Sequence, residues 1–411
     1  MTTTTLRIPY GTTSVDLDVE QGTEVEFASP AETPANVESI SESLENPCDS
    51  VDLQEFITER KKLLVAVNDH TRPTPSYEVM KHLHFKNKEV TTIIASGSHR
   101  LPNPQEIQRI VGGNAPSYDG RLILHRSDDQ SSLRPFGETR RGTKLFFNQL
   151  LFEVDGIIVV GSVEPHYFAG YTGGRKFLLP GLAGLDSIVM NHSLAADESA
   201  RILALDGNPV HDDFMEALQM FGRQDDIFSI QLVLNAQHQV CYASSGNIVG
   251  SFAEAVEHAR QVYVPTIKEK ADIVISVAKP PMDVDLYQSQ KAIDNVKLSV
   301  KKDGIIILVS SCWDGIGDRG FYDLITSGKV LDRTSAHRFG FHKAVKLANL
   351  LKNNRVFAVT NLPPETVRAI SLTPYREVQK AFADAAEIKG RESKVLVVLD
   401  GGVTVPLPKA A

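Results

Sequence analysis

Short runs rich in Val and Ile recur at 63–67, 90–95, 121–124, 156–160, 272–277, 304–309, 355–359 and 395–399, and they constrain the fold of this chain more than any other feature. Apolar runs of this length without polar alternation read as strands buried on both faces. Helical patterns fall between several of them, at 104–111, 252–262, 286–300 and 375–386. The alternation implies an α/β fold with mainly parallel sheets. A chain of 411 residues is long enough to form more than one core. A weak seam at 264–269 divides it into expected domains of 1–265 and 268–392. Residues up to 25 read as a small hairpin on the first domain. Residues 28–50, rich in Pro, Ser, Glu and Asn, read as loop.

Parallel sheets bind ligands outside the carboxyl ends of their strands, so the residues just past each run carry the functional signal. Asp69 and Arg72 follow the run 63–67, Ser96, Gly97 and His99 follow 90–95, and His166 follows 156–160. Three successive strand ends are therefore expected to line one cleft. Arg72 and Lys291 suit a carboxylate or phosphate, the first as a planar fork and the second as a point charge. The formal net charge of −8 disfavours extended nucleic-acid binding. Cys48, Cys241 and Cys312 lie far apart with no CxxC pair, which fits a reducing compartment and opposes a zinc ribbon or disulfide scaffold. The chain has neither a secretory leader pattern nor a run of about 18 apolar residues, so a cytoplasmic protein without membrane contact is expected.

The segment 164–184, EPHYFAGYTGGRKFLLPGLAG, places a histidine, five glycines and a lysine in one loop. Gly170, Gly173 and Gly174 allow the backbone to approach a phosphate-bearing ligand, although the same residues also suit a tight turn. A Walker A loop needs four residues between its glycines and then Lys-Ser/Thr. Here three residues separate Gly170 from Gly174, and Phe177 follows Lys176, so Lys176 is available for another role such as covalent attachment. His99, His166 and His192 all follow loop signals, whereas His211 and His258 sit on helical patterns and read as surface residues. No HExxH motif is present. One metal ligand with two acid/base groups is as consistent as a three-histidine zinc site.

Taken together, NDHTRPTP (68–75), SGSHR (96–100), the 164–184 loop, Asn191-His192 and DLYQSQKA (285–292) resemble the nickel-dependent lactate racemase family. Five separated motifs in the right order cover essentially the whole chain. The resemblance implies two domains around a central cofactor and substrate cleft, with the last strand, in 393–411, able to return to the first domain. It implies a nickel-pincer nucleotide, a pyridinium-3,5-bisthiocarboxylic acid mononucleotide carrying nickel, joined to Lys176 through a thioamide. His192 falls on the metal ligand, and His99 and His166 fall on the acid/base pair. Asp69, Arg72, Thr172, Gly173, Gly174 and Arg175 are the implied cofactor contacts. Arg72, Tyr287, Gln288 and Lys291 are the implied substrate contacts. The implied activity is racemisation or epimerisation of a 2-hydroxy acid, lactate by default, through a 2-keto acid, with cofactor-synthesis enzymes as partners. Malate, an aromatic 2-hydroxy acid or a sugar acid at C2 are alternative substrates. A zinc hydrolase using His99, His166 and His192, and a nucleotide-binding protein without catalysis, are the rivals from other classes.

Overall fold

The computed structural model describes residues 3–112, 121–328, 330, 340–390 and 392–409. The chain is α/β with mainly parallel sheets in two domains, Glu32–Val262 and Met1–Ala31 together with Tyr263–Ala411. The first 31 residues thus group with the second domain, which corrects the sequence expectation. Hairpin strands Thr3–Tyr10 and Thr13–Glu20 form as read. Their buried Ile8, Leu17 and Val19 join the apolar face of the helix Val378–Lys389. Asp18 N donates to Gln379 Oε1 at 2.8 Å and fixes the contact.

In the domain Glu32–Val262 a six-stranded sheet runs, from one edge, Val240–Gly246, Ile227–Leu234, Gly156–Ser162, Lys62–Asn68, Glu89–Ala95 and Arg121–Leu124. Only the first pair is antiparallel. Alternate residues of one strand feed opposite cores. Leu64 and Ala66 pack with Phe214, Leu218 and Ile188, while Leu63, Val65 and Val67 pack with Ile40, Phe56 and Ile110. Strand order reverses between Lys62–Asn68 and Gly156–Ser162, which makes their carboxyl ends the topological switch point of this sheet. The helix Pro104–Val111 starts at a capping box: Asn103 Oδ1 accepts from Glu106 N at 2.9 Å, and Glu106 Oε2 accepts from Asn103 N at 2.8 Å.

The second domain holds a six-stranded parallel sheet in the order Thr373–Tyr375, Arg355–Val359, Val300–Val309, Ala271–Val277, Val395–Val398 and Val25–Ala28. The last strand therefore pairs inside this domain, between Ala271–Val277 and Val25–Ala28, and does not return to the first sheet. Its sequence, VLVV, fits any buried parallel position, so only pairing decides where it goes. Three local readings change as well. The expected helix 286–300 ends at Val296 and gives way to the strand Val300–Val309, the segment 28–50 contains the helix Ser39–Glu45, and 375–386 is replaced by the helix Val378–Lys389 after a short strand.

Candidate active site

At the switch point the backbone delivers two acids and two bases. Asp69, buried just past the strand Lys62–Asn68, accepts from Thr71 N at 3.1 Å and Thr71 Oγ1 at 2.7 Å, and bonds His99 Nδ1 at 2.7 Å. Burial by itself would raise the carboxyl of Asp69, but the bonds from His99 and Thr71 outweigh it and hold the group below the usual range. A carboxylate can only accept, so His99 carries its proton on Nδ1 and keeps Nε2 as the basic nitrogen. The ring of His99 is half exposed. Arg72 pairs with Glu164 at 2.5 Å, a partner at the end of the adjacent strand that sequence reading missed. Gly97 N donates to Gly181 O at 3.1 Å, which ties the loop carrying His99 to the end of the 164–184 loop.

That loop opens with a small antiparallel hairpin in which His166 faces Gly170. Thr172, expected as a cofactor contact, uses its hydroxyl within the loop: it donates to Ser162 O at 2.8 Å and accepts from Glu164 N at 2.9 Å. The glycines are closely packed on the side where a side chain would stand. A Cβ on Gly170 would lie 2.2 Å from Ala204 O, one on Gly173 2.6 Å from Gln231 Oε1, and one on Gly174 2.8 Å from the Phe252 ring. Protein already fills the space in front of them, and Gly174 N is bonded to Gln231 Oε1 at 2.9 Å. Positive φ together with this close packing requires glycine at all three. Arg175 is 1% exposed and directs its guanidinium to Ala169 O at 2.9 Å, Gly173 O at 3.3 Å and Thr172 O at 3.5 Å. Burial pulls its pKa down to about 9, which leaves it charged at neutral pH. It fixes the loop from inside.

Lys176, His166 and His192 meet at one aromatic group. Lys176 Nζ lies 3.4 Å from His166 Nε2, 5.5 Å from the Phe168 centroid and 5.3 Å from that of Phe214. The ring of Phe168 is edge-on to His166 at 4.5 Å and to His192 at 4.9 Å. Phe168 and Phe214 are buried, and nothing in the sequence singled them out. His192 sits on the helix Leu185–Ser193, and its Nδ1 bonds Asn191 Oδ1 at 3.1 Å. The amide of Asn191 is oriented by Asp213, whose Oδ2 accepts from Asn191 Nδ2 at 2.8 Å while Thr139 and Thr143 bond the same carboxylate at 2.5 and 2.8 Å. Asn191 must therefore present oxygen to His192, which carries its proton on Nδ1 and keeps a lone pair on Nε2.

Two further histidines are held neutral by burial, and one of them departs from its sequence reading. His211, expected at the surface, has its pKa lowered to about 3 by burial and then by the Arg175 charge. His125, just past the strand Arg121–Leu124, donates Nε2–H to Ala183 O at 3.0 Å and accepts from Asn148 at 3.1 Å. Burial lowers its pKa as well. The folded protein thus refuses protons that the unfolded chain takes up below about pH 6.5. Stability is expected to be full above that pH and to fall as pH drops further, read as a falling urea midpoint. His211→Gln is expected to remove about one proton from that dependence.

Tyr287, Gln288 and Lys291 lie in the second domain on the first turns of the helix Leu286–Val296, where Asp285 caps Gln288 N at 2.6 Å. Tyr287 and Lys291 share a face by their spacing. Lys343 Nζ donates to Tyr287 O and lies 4.0 Å from its ring centroid. Burial lowers the pKa of Lys343 to about 8. Its sequence context, FHKAVK, gave no signal of such a role. Trp313 stands 68% exposed on the loop that bonds the start of this helix through Leu286 N and Gly315 O.

A carboxylate-oriented imidazole at the sheet switch point, beside a loop joining an imidazole and an amine on one phenyl ring, gives this α/β fold the groups that acid/base chemistry uses. Residues 10–202 match the lactate racemase N-terminal domain, and residues 266–406 match the lactate racemase C-terminal domain. The chain belongs to the lactate racemase family and is an isomerase, a racemase. It is 29% identical to the lactate racemase of Thermoanaerobacterium thermosaccharolyticum, over 96% of this chain and 97% of that protein. It is also 29% identical to the lactate racemase of Lactiplantibacillus plantarum, over 90% of each. The structure of the lactate racemase apoprotein from the first organism superposes with a TM-score of 0.88 at 28% identity, covering 98% of this chain and 100% of that one. A Thermotoga maritima protein with a TM-score of 0.70 and 21% identity, covering 92% of this chain and 99% of its own, shares the fold. Among the described residues no helix is long and apolar enough to cross a membrane.

Proposed function

We propose that this racemase inverts a 2-hydroxy carboxylic acid, lactate by default, with a nickel-pincer nucleotide tethered to Lys176 and a 2-keto acid intermediate. The observation that carries the reading is the convergence of Lys176, His166 and His192 on Phe168. The residues fit the group. His192 keeps Nε2 for a metal, with Asn191 and Asp213 behind it as a carboxylate relay of the kind that orients metal-binding histidines. Among the described residues no group of three or more His, Cys, Asp and Glu is placed to hold a metal ion. A metal on His192 therefore needs donors from a cofactor, which disfavours the three-histidine zinc hydrolase. When bound, the nucleotide supplies nickel and an acceptor for the substrate's α-hydride.

The chain supplies position and proton handling. His99 Nε2, left with its lone pair by the Nδ1 bond to Asp69, takes the hydroxyl proton of one enantiomer. His166 starts as the proton-bearing partner and serves the other enantiomer. Arg72, held by Glu164, binds the substrate carboxylate. Inversion by proton removal at carbon would place a carbanion beside a carboxylate, and hydride transfer avoids it. Substrate deuterated at C2 is expected to racemise in ordinary water with most of its label retained, measured by mass spectrometry. Rapid washout to solvent rejects the hydride route. Activity on enantiopure lactate, malate, aromatic and sugar acids separates the candidate substrates. Three dispersed free thiols support a reducing, cytoplasmic setting, where cofactor-synthesis enzymes load the protein.

A further inference from the structure

We infer that Glu164 is a positioning residue for the substrate: by taking Nη1 of Arg72 it leaves the edge formed by Nε and Nη2 as the one that grips the carboxylate of the 2-hydroxy acid. The inference deepens the carboxylate contact proposed above and rests on it. Glu164 Oε1 accepts from Arg72 Nη1 at 2.5 Å, with the two side chains 12% and 20% exposed. A guanidinium meets a carboxylate by two parallel N–H bonds only along an edge, either Nη1 with Nη2 or Nε with Nη2. The first edge would seat the substrate on the nitrogen that already carries a carboxylate, where like charges repel. The second does not use Nη1. Among the described residues nothing bonds Nε or Nη2 of Arg72, and neither is a buried atom left without a partner, so solvent reaches both.

Backbone bonds anchor both ends of the pair, which makes the choice of edge a property of the fold. Glu164 N donates to Thr172 Oγ1 at 2.9 Å, and Thr172 N donates to Glu164 O at 2.9 Å. Arg72 N donates to Asp69 O at 3.2 Å and closes the turn whose Asp69 carboxylate bonds His99 Nδ1 at 2.7 Å. The fork and the proton base therefore stand on one turn, and a rotation of the guanidinium would shift the substrate hydroxyl relative to His99 Nε2. Asp69 cannot take over from Glu164, because its oxygens are occupied by His99 and Thr71. A carboxylate held at two points cannot swing in the guanidinium plane, as one held by the point charge of a lysine can.

The test uses the full chain produced alongside cofactor-synthesis enzymes, with racemic lactate as the probe, since the racemate is at equilibrium and undergoes no net reaction as it binds. Nitrogen NMR of protein labelled at arginine follows the guanidinium groups, and Arg72→Lys identifies the signals of Arg72. Its Nε–H is expected to move downfield on adding lactate, because only the edge of Nε and Nη2 uses that donor. Saturation with lactate that leaves this Nε–H in place overturns the inference. A second arm compares the lactate dissociation constants of Glu164→Gln and Glu164→Ala. Both remove the charge, but only Gln keeps an oxygen to accept from Nη1, so Glu164→Ala is expected to bind about two- to tenfold more weakly than Glu164→Gln, the cost of fixing one long side chain. Equal binding by the two also overturns the inference, since a charge effect would not separate them. If Glu164→Ala fails to fold by circular dichroism, the Nε–H of the unaltered protein decides. Unaltered protein that does not bind lactate, or Arg72→Ala that binds it equally well, shows that the carboxylate contact itself has failed, and the inference with it.

Discussion

Lys176→Arg is expected to abolish both the covalent adduct and racemisation, although it conserves charge and nearly conserves length. A guanidinium stays protonated and is a poor nucleophile, whereas the tether needs a lone pair on nitrogen. Lys176→Ala should give the same null activity. The decisive measurement is intact mass and metal content of protein produced alongside cofactor-synthesis enzymes. Unaltered protein should carry a sulfur-containing pyridinium mononucleotide on the peptide with Lys176, and both variants should lack it. His192→Ala should separate the two functions of the site. It leaves Nζ and its phenyl neighbours in place but removes the Nε2 lone pair oriented by Asn191, so the organic adduct should persist with less nickel. Fully active protein with unmodified Lys176 would confine the cofactor to noncovalent binding.

His99→Ala is expected to lower kcat in both directions by about 10² to 10⁴-fold while leaving the adduct intact, because each full turnover passes a proton through the pair of histidines. Retention of more than about a tenth of the rate would remove His99 from the proton pathway. Asp69→Asn probes the same nitrogen through its partner. An amide can present N–H to Nδ1 and drive the imidazole to the tautomer whose Nε2 is no longer basic. A loss of about 10²-fold is expected, carried by kcat rather than KM. Asp69→Glu is expected to recover part of it. A merely structural Asp69 would lower the urea midpoint instead, with kcat per folded molecule unchanged.

The sequence by itself determined the strands, since runs such as LLVAV and GIIVV have no other stable use in a chain of this composition, and strand ends follow from where the runs stop. It also placed Asp69, Arg72, His99 and His166 past those ends and Lys176 in the glycine-rich loop. The strand Ile227–Leu234 escaped because Ser229 and Gln231 interrupt its apolar run, and Val240–Gly246 because Ser244 and Ser245 cut its own short. Ser229 and Gln231 are buried, and Gln231 bonds Ser229 at 2.7 Å and Gly174 N at 2.9 Å. Only the tertiary structure decided which sheet received Val395–Val398, which residues pack against the loop glycines, and which nitrogen of His99 and of His192 holds its proton. Strand propensity and turn chemistry are properties of neighbours along the chain. Sheet partners, filled space and tautomers are set by atoms from distant segments, as Gln231 is to Gly174 and Asp213 is to Asn191, and those become neighbours only when the chain folds.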